Sequence, residues 1–201
     1  MRPWLIALSL FVCACSEAPT ETQKRAPEKP PEPITGRQAF QYTYGSARIW
    51  AADSQPLLVR SVDLDQVKPA DGKAGAWEID YVSPQLGRAR TYTWSAVDVG
   101  DTFHKGVTRG PEESWRGPQG QQRPFAADTL KIDTPEALET AIAKSEDYLR
   151  KPGAKPRVNF LLEFTPRYPN PVWRVLWGTS VGSAEQVVNV DASTGKFLGS
   201  N

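Results

Sequence analysis

The stretch VWRVLWGTSVGSAEQVVNVDASTGKFL, residues 172–198, predicts two consecutive β-strands, with a turn between them and a tight turn after the second. In its first part, residues 172–179, large apolar residues recur with the period of two that is typical of a strand with one buried face. Trp173, Val175 and Trp177 therefore share a face, because alternate side chains of a strand point the same way. We expect this face to lie in the hydrophobic core.

The remainder of the stretch predicts one more strand. Residues 186–192 (QVVNVDA) form the second run, and the Gly-Ser pair at 182–183 separates it from the first. The residues Ser-Thr-Gly-Lys at 193–196 predict a tight turn, since Ser and Gly are typical turn residues. Residues 197–198 then close the unit.

The residues before this stretch predict a helix and one further strand. Asp133 or Thr134 can cap a helix, and Pro135 suits its first turn. The Lys-Pro-Gly sequence at 151–153 ends the helix, and residues 158–164 alternate as a strand. The predicted apolar face of the helix comprises Leu138, Ala141, Ile142, Ser145, Tyr148 and Leu149.

The same order of elements recurs 99 residues earlier, where Thr35 aligns with Thr134 and Trp77 matches Trp173. The matching helical positions are Ala39, Thr43, Ser46, Ile49 and Trp50. The matching strands are residues 57–64, 76–82 and 90–97, with Val97-Asp98 aligned with Val190-Asp191 and Phe103 with Phe197.

These patterns predict an α+β fold with two helix-plus-antiparallel-sheet units, each αβββ, in tandem. The first unit covers residues 34–105 and the second residues 130–201, and we expect their sheets to be adjacent or continuous. Residues 106–129 are rich in Gly and Pro and predict a long irregular connection. Loops of that length are often functional or mobile.

The N-terminus predicts export and a lipid anchor. Arg2 precedes an apolar run at residues 4–12, which is too short to span a membrane and fits a secretion signal. Val12-Cys13-Ala14-Cys15 resembles the bacterial lipobox. That resemblance implies a signal peptide at residues 1–14 and a diacylglycerol on Cys15, and Ser16 favours the periplasmic face of the outer membrane. Ordinary signal cleavage at the same bond is the alternative, with Cys15 a free thiol.

Residues 15–33 predict a disordered tether, because residues 16–33 contain five prolines and no large apolar side chain. Arg2 is the only charged residue among the first 15, so 23 basic and 23 acidic residues follow. This balance gives no long-range attraction to nucleic acid. Both cysteines lie before residue 16, so the folded part has no disulfide.

The C-terminal sequence resembles the PepSY domain, on the pattern V-D-A-x-T-G-K. The matching residues are Val190, Asp191, Ala192, Thr194, Gly195 and Lys196. Asp191 can bond the amides that follow it, and Gly195 can adopt a positive φ. The resemblance covers about 65 residues from Thr134 onward and implies an antiparallel sheet with a helix across one face. It also implies binding to, or inhibition of, exported proteins such as secreted proteases, and it brings no catalytic residues.

No sequence pattern predicts a catalytic, metal or cofactor site. His104 is the only histidine, and HExxH, paired cysteines for a metal, G-x-G-x-x-G and the P-loop are all absent. Glu78 and Asp80 share one face of a predicted strand, which is typical of the solvated side of a sheet. We therefore expect no enzyme, no metal and no cofactor.

Trp115 and Arg116 are the candidate partner-binding residues, since they lie in the predicted loop and Trp and Arg are favoured anchors at interfaces. The leading hypothesis is a membrane-anchored, non-catalytic module for a protein or peptide. One alternative is a lipoprotein that binds a small molecule or glycan in a cleft between the two units, supported by the clustered aromatic residues. A second is a carboxylate-based hydrolase.

Overall fold

The computed structural model describes residues 30–154 and 157–200. The predicted signal peptide, Cys15 and residues 16–29 of the predicted tether lie outside the described residues. The first half of the fold contains β1 (Ile34–Thr35), α1 (Gly36–Trp50), β2 (Gln55–Val62), β3 (Lys73–Ala74), β4 (Ala76–Ser83), β5 (Arg88–Ser95) and β6 (Gly106–Ser114). After a 3-10 turn at Ala127–Thr129, the second half contains α2 (Thr134–Ala143), α3 (Glu146–Leu149), β7 (Val158–Glu163), β8 (Val172–Trp177), β9 (Gln186–Asp191) and β10 (Phe197–Ser200).

Eight of these strands form one continuous sheet in the order β10-β9-β8-β7-β2-β4-β5-β6, and every neighbouring pair is antiparallel. The two halves meet where β2 pairs with β7, with Val59 opposite Leu162. The helices pack on one face of this sheet, and side chains of both halves share a hydrophobic core. The predicted α+β class with an antiparallel sheet is confirmed.

The helical alignment of the two halves was wrong by one residue. Thr35 is the N-cap of α1 and Asp133 is the N-cap of α2, which makes the separation 98 residues. Ile49 is 90% exposed and Ile142 is 45% exposed, although both were assigned to the apolar faces. Apart from Phe40 in α1, the buried residues of the two helices are small, which allows the helices to approach the sheet closely: Gly36, Ala39, Thr43 and Ala47 in α1, and Thr134, Ala137 and Ala141 in α2.

The alignment of the third strands was wrong by three residues. Trp77 pairs with Trp94 across β4 and β5, whereas Trp173 pairs with Val190 across β8 and β9. Ser95, and not Asp98, therefore stands at the position of Asp191. The Ser95 hydroxyl accepts a hydrogen bond from the Val97 amide at 3.3 Å, so it caps the strand end as a carboxylate would.

The expected irregular connection at residues 106–129 begins instead with the nine-residue strand β6. In the sequence, Gly110 and Pro111 of this strand favour the prediction of a loop. They are tolerated because β6 is the edge strand, whose outer side has no ladder hydrogen bonds to lose. The rest of the connection is held by Phe125, which is buried and donates its amide to the Pro56 carbonyl at 2.9 Å.

Two tryptophans occupy equivalent positions at the junction of the halves. The Trp77 indole donates to the Ile34 carbonyl at 3.0 Å, and the Trp173 indole donates to the Ile132 carbonyl at 2.9 Å. Their rings meet edge to face, with centroids 6.4 Å apart. Each indole thus fixes the chain just before a helix N-terminus, and both rings are fully buried.

Gly36 lies against both rings. A Cβ atom at this position would lie 2.8 Å from Cη2 of Trp173, 3.0 Å from Cγ2 of Thr134 and 3.1 Å from Cη2 of Trp77. None of these neighbours is the free end of a flexible side chain, because both indoles are hydrogen-bonded and packed. The first turn of α1 therefore requires glycine for space.

We predict that Gly36→Ala lowers the free energy of unfolding by about 1 to 3 kcal/mol, as overpacking of a filled core does. Gly45→Ala is the matched control in the same helix, because nothing lies within 4 Å of a Cβ there. That change is expected to raise stability by up to about 1 kcal/mol through helix propensity. Urea denaturation followed by tryptophan fluorescence measures both. Equal stability of the two variants would contradict this account of the junction.

Candidate binding cleft

A cleft of about 480 Å³ lies between the halves. One wall is the segment between β2 and β4, and the other consists of Leu138 on α2 and the start of β7. Its size falls in the range of ordinary ligand pockets, which lie between about 300 and 1,000 Å³. The cleft joins parts of the chain that are far apart in sequence.

The cleft wall formed by the segment between β2 and β4 is held against the second half of the protein by close contacts and a hydrogen bond. Gly72 has φ 78°, and a Cβ atom there would lie 2.6 Å from the backbone nitrogen of Pro135. The Thr134 hydroxyl donates to the Gly72 carbonyl at 2.5 Å. The preceding Asp71 has φ 49°, in the left-handed region that favours glycine. The wall therefore has a defined position against the N-terminus of α2.

The interior of the cleft is apolar and its rim is charged. Leu64 and Phe160 are 6% and 4% exposed and form buried parts of the lining, together with the half-buried Leu138 and Val158. The exposed rim residues carry both signs: Lys68, Lys73, Asp65 and Asp71. Such a cleft suits an apolar group surrounded by polar atoms.

Arg157 also lines the cleft, but its charge is engaged. Its Nε atom lies 2.7 Å from Oδ2 of Asp63. The same carboxylate oxygen accepts a hydrogen bond from Asn159 at 3.0 Å. The charged groups at this end of the cleft thus bind one another and position the entry to β7.

The predicted candidate residues Trp115 and Arg116 lie elsewhere, directly after β6. Trp115 is half-buried and its amide donates to the Gly87 carbonyl at 2.9 Å, while Arg116 is exposed. Neither residue lines the cleft. Sequence reasoning anticipated a cleft between the units but named none of its lining residues, because its wall, residues 63–73, has no helical or strand period to draw attention to it.

The other candidate catalytic or metal-binding residues either form ion pairs and hydrogen bonds with neighbouring side chains or do not converge on one site. Glu78 pairs with Arg60 at 2.5 Å, and Asp80 accepts a hydrogen bond from Thr91 at 2.6 Å. His104 is largely exposed, 3.7 Å from the Asp98 carboxylate. Within residues 30–154 and 157–200, no three His, Cys, Asp or Glu side chains converge as metal ligands.

Most of the tryptophans that supported a glycan site are unsuited to stacking on a sugar. Trp77, Trp173 and Trp177 are at most 1% exposed. Trp50 is half-buried, but the Arg90 guanidinium lies 5.3 Å from its ring centroid and its indole donates to Glu112 at 3.1 Å. These contacts give the rings a packing role.

The turn after β9 has the predicted geometry. Asp191 Oδ1 accepts hydrogen bonds from the amides of Ser193 and Thr194 at 2.8 and 2.9 Å, and Gly195 has φ 74°. Burial would raise the pKa of the Asp191 carboxyl, but hydrogen bonds from Asn170 and the two amides outweigh it and hold the pKa below its ordinary value. The carboxylate therefore stabilises the turn in its ionised form.

No protein-family model and no curated protein matches the chain. Among solved structures, the crystal structure of a "putative lipoprotein" from Clostridium difficile 630 is similar, with a TM-score of 0.54. The match covers 87% of this chain and 95% of that one at 10% sequence identity. The likeness shows a shared fold.

Among the residues that the structure describes, no helix has the length and hydropathy needed to cross a membrane.

We predict that Asp191→Asn makes stability less dependent on acid pH. Because the folded-state pKa of Asp191 is lowered, its contribution is fully present above the unfolded pKa of about 3.9 and is lost as the pH falls through the folded value. The wild type should exceed the variant by about 1 to 2 kcal/mol near neutral pH, and by progressively less below about pH 4. Urea titrations across this range measure the difference, with the exposed Asp128→Asn as control. A difference that does not change with pH would refute the prediction.

Proposed function

We propose that the chain is an envelope lipoprotein, anchored through acylated Cys15 at the periplasmic face of the outer membrane, that binds a protein or peptide without catalysis. The cleft between the halves carries the binding part of this proposal. In it, a peptide would place an apolar side chain against Leu64 and Phe160. Its backbone amides would meet the rim residues of both signs, such as Lys68 and Asp71.

The anchoring part rests on the lipobox-like Val12-Cys13-Ala14-Cys15 and the apolar run before it. A fold shared with a "putative lipoprotein" supports it further. Cys15 would carry the lipid that holds the protein at the membrane. Acyl chains contribute about 0.8 kcal/mol for each buried methylene, and several chains together anchor a protein stably.

The arrangement of charges favours binding over a reaction. A catalytic carboxylate or base works when it is held near the reacting atoms and shielded from water. The ionisable groups of the cleft instead stand on its exposed rim, and Arg157 is paired with Asp63. Glu78 and Asp80, on which the hydrolase alternative depends, are engaged by Arg60 and Thr91.

A role in modulating a secreted protease extends the proposal. Its support is the PepSY-like ending, whose Asp191 and Gly195 adopt the turn geometry that the motif requires. A small-molecule ligand in the same cleft is the second candidate, because the volume of about 480 Å³ would accept one.

We predict that Cys15→Ala abolishes lipid modification. Mass spectrometry of the protein from the membrane fraction should find the acyl groups on Cys15 of the wild type, since only the thiol can form the thioether. The variant should remain unprocessed or be released from the membrane fraction. A variant that is still cleaved and still sediments with membranes would rule out the anchor.

We predict that a photoreactive benzoylphenylalanine at Ala70, an exposed residue of the rim, crosslinks to a polypeptide in intact envelopes. The same group at the exposed Ala52, outside the cleft, should not. Leu138→Gln should abolish the adduct, because it places an amide in the apolar interior. Ile142→Gln is the matched control on the same helix, with a side chain outside the cleft.

The other outcomes separate the alternatives. If the adduct survives Leu138→Gln but is lost with Trp115→Ala and Arg116→Ala together, the partner binds after β6 and the cleft assignment is wrong. If Ala70 yields no polypeptide adduct and a small molecule raises the melting temperature, the second candidate replaces the first. Mass spectrometry of the adduct identifies the partner segment, which should contain a large apolar residue.

A further inference from the structure

The exposed face of α1 combines basic and apolar side chains and has no acidic ones. The helix contains no Asp or Glu among its 15 residues, and Arg37 and Arg48 are exposed. Tyr42 is 56% exposed. Ile49, at 90%, is the most exposed large hydrophobic residue of the described chain. An isoleucine that is so fully exposed contributes nothing to the core.

These residues occupy one side of the helix. At about 100° per residue, Arg37, Arg48, Tyr42 and Ile49 fall within an arc of roughly 140°, opposite the buried stripe. The two arginines lie toward one edge of this arc and the two apolar residues toward the other. Gly45 lies between them, and nothing approaches within 4 Å of a Cβ there. The exposed Gln38 and Gln41 also fall within this arc, and the face is open around Gly45.

The acidic side chains that adjoin the two ends of α1 are engaged. At the N-terminal end, Asp133 accepts a hydrogen bond from the Arg37 amide at 2.9 Å. Asp53 accepts hydrogen bonds from the Ser83 hydroxyl at 2.6 Å and from the Gln85 amide at 2.8 Å. The face thus presents a tyrosine, an isoleucine and two arginines, of which Arg37 also donates to the Lys131 carbonyl at 3.0 Å. Arginine complements anionic headgroups, while tyrosine and isoleucine suit the boundary between headgroups and acyl chains.

We propose that this face of α1 rests on an anionic lipid surface when the protein is anchored. The proposal rests on the proposed anchor at Cys15. The tether of residues 16–33 leads directly into β1 and α1, so that α1 is the first helix that the anchor brings to the bilayer.

The magnitudes explain why the tether is needed. Each arginine near an anionic surface strengthens binding about fivefold, and partial burial of Tyr42 and of Ile49 contributes about as much for each residue. The four contributions together correspond to a dissociation constant of about 1 mM. A free domain with balanced charge would not stay bound, whereas a short tether supplies an effective concentration in the millimolar range. The contact is thus populated only in the anchored protein.

The test uses the lipidated full-length protein with Gly45→Cys, the only free thiol once Cys15 is modified. A nitroxide label on this cysteine reports collision with oxygen, which concentrates in acyl chains, and with a water-soluble nickel complex. The protein is placed on vesicles of phosphatidylcholine with phosphatidylglycerol, or of phosphatidylcholine alone. Val181→Cys, exposed in the second half, carries the control label.

On the anionic vesicles, the ratio of oxygen to nickel collisions at residue 45 should rise several-fold over that on neutral vesicles, and residue 181 should show no change. Adding Arg37→Gln, Arg48→Gln and Ile49→Asp should return residue 45 to the neutral-vesicle value. Equal ratios at residues 45 and 181 on the anionic vesicles would overturn the proposal. Flotation of the vesicles reports the anchor separately: a protein that does not float disproves the anchor, and the proposed contact with it.

Discussion

The carboxylate of Asp133 holds the first turns of both helices. It caps α2 by accepting the Thr134 amide at 2.7 Å, and it also accepts the Arg37 amide at 2.9 Å and the Thr35 hydroxyl at 2.6 Å. The N-terminus of a helix carries a partial positive charge. One anion therefore satisfies two helix ends that would otherwise repel each other. Because these ends meet, each half of the fold completes the other, with α1 packed on β2, β4 and β5 and α2 packed on β8 and β9.

The neighbouring Thr134 extends this junction to the cleft. Its hydroxyl accepts the Gly36 amide at 3.0 Å and donates to the Gly72 carbonyl at 2.5 Å. One side chain thus links α1, α2 and the wall between β2 and β4. The shape of the cleft is consequently tied to the same contacts that join the halves. A ligand would meet a wall whose position is set by the core and not by a free loop.

The strands and the Asp191 turn could be predicted from sequence because their signals are local: alternation over six to eight residues, and a carboxylate followed by amides within reach. The sequence predictions were wrong where the contact that determines the structure joins residues far apart in the sequence. Most buried residues of the helices are small, and at Gly36 the indoles of Trp173 and Trp77 fill the space, which a count of large apolar residues cannot reveal. Ser95 replaces Asp191 in the first half, so the motif disappears while its hydrogen bond persists. The cleft depends on contacts between Gly72 and Pro135, which no local pattern records.

The departures from symmetry indicate where a function can reside. The features that the halves share, namely the capped helices, the Trp77 and Trp173 hydrogen bonds and the continuous sheet, all stabilise the junction. The connection between the first two sheet strands differs: residues 63–75 contain β3 and form a cleft wall, whereas the corresponding residues 164–171 line no part of that cleft. The acid-free face of α1 is a second departure, because α2 carries Glu136 and Glu139. A duplicated framework needs neither the added wall nor an exposed isoleucine for its stability. The two features are therefore the parts of the fold that we propose meet a partner and the membrane.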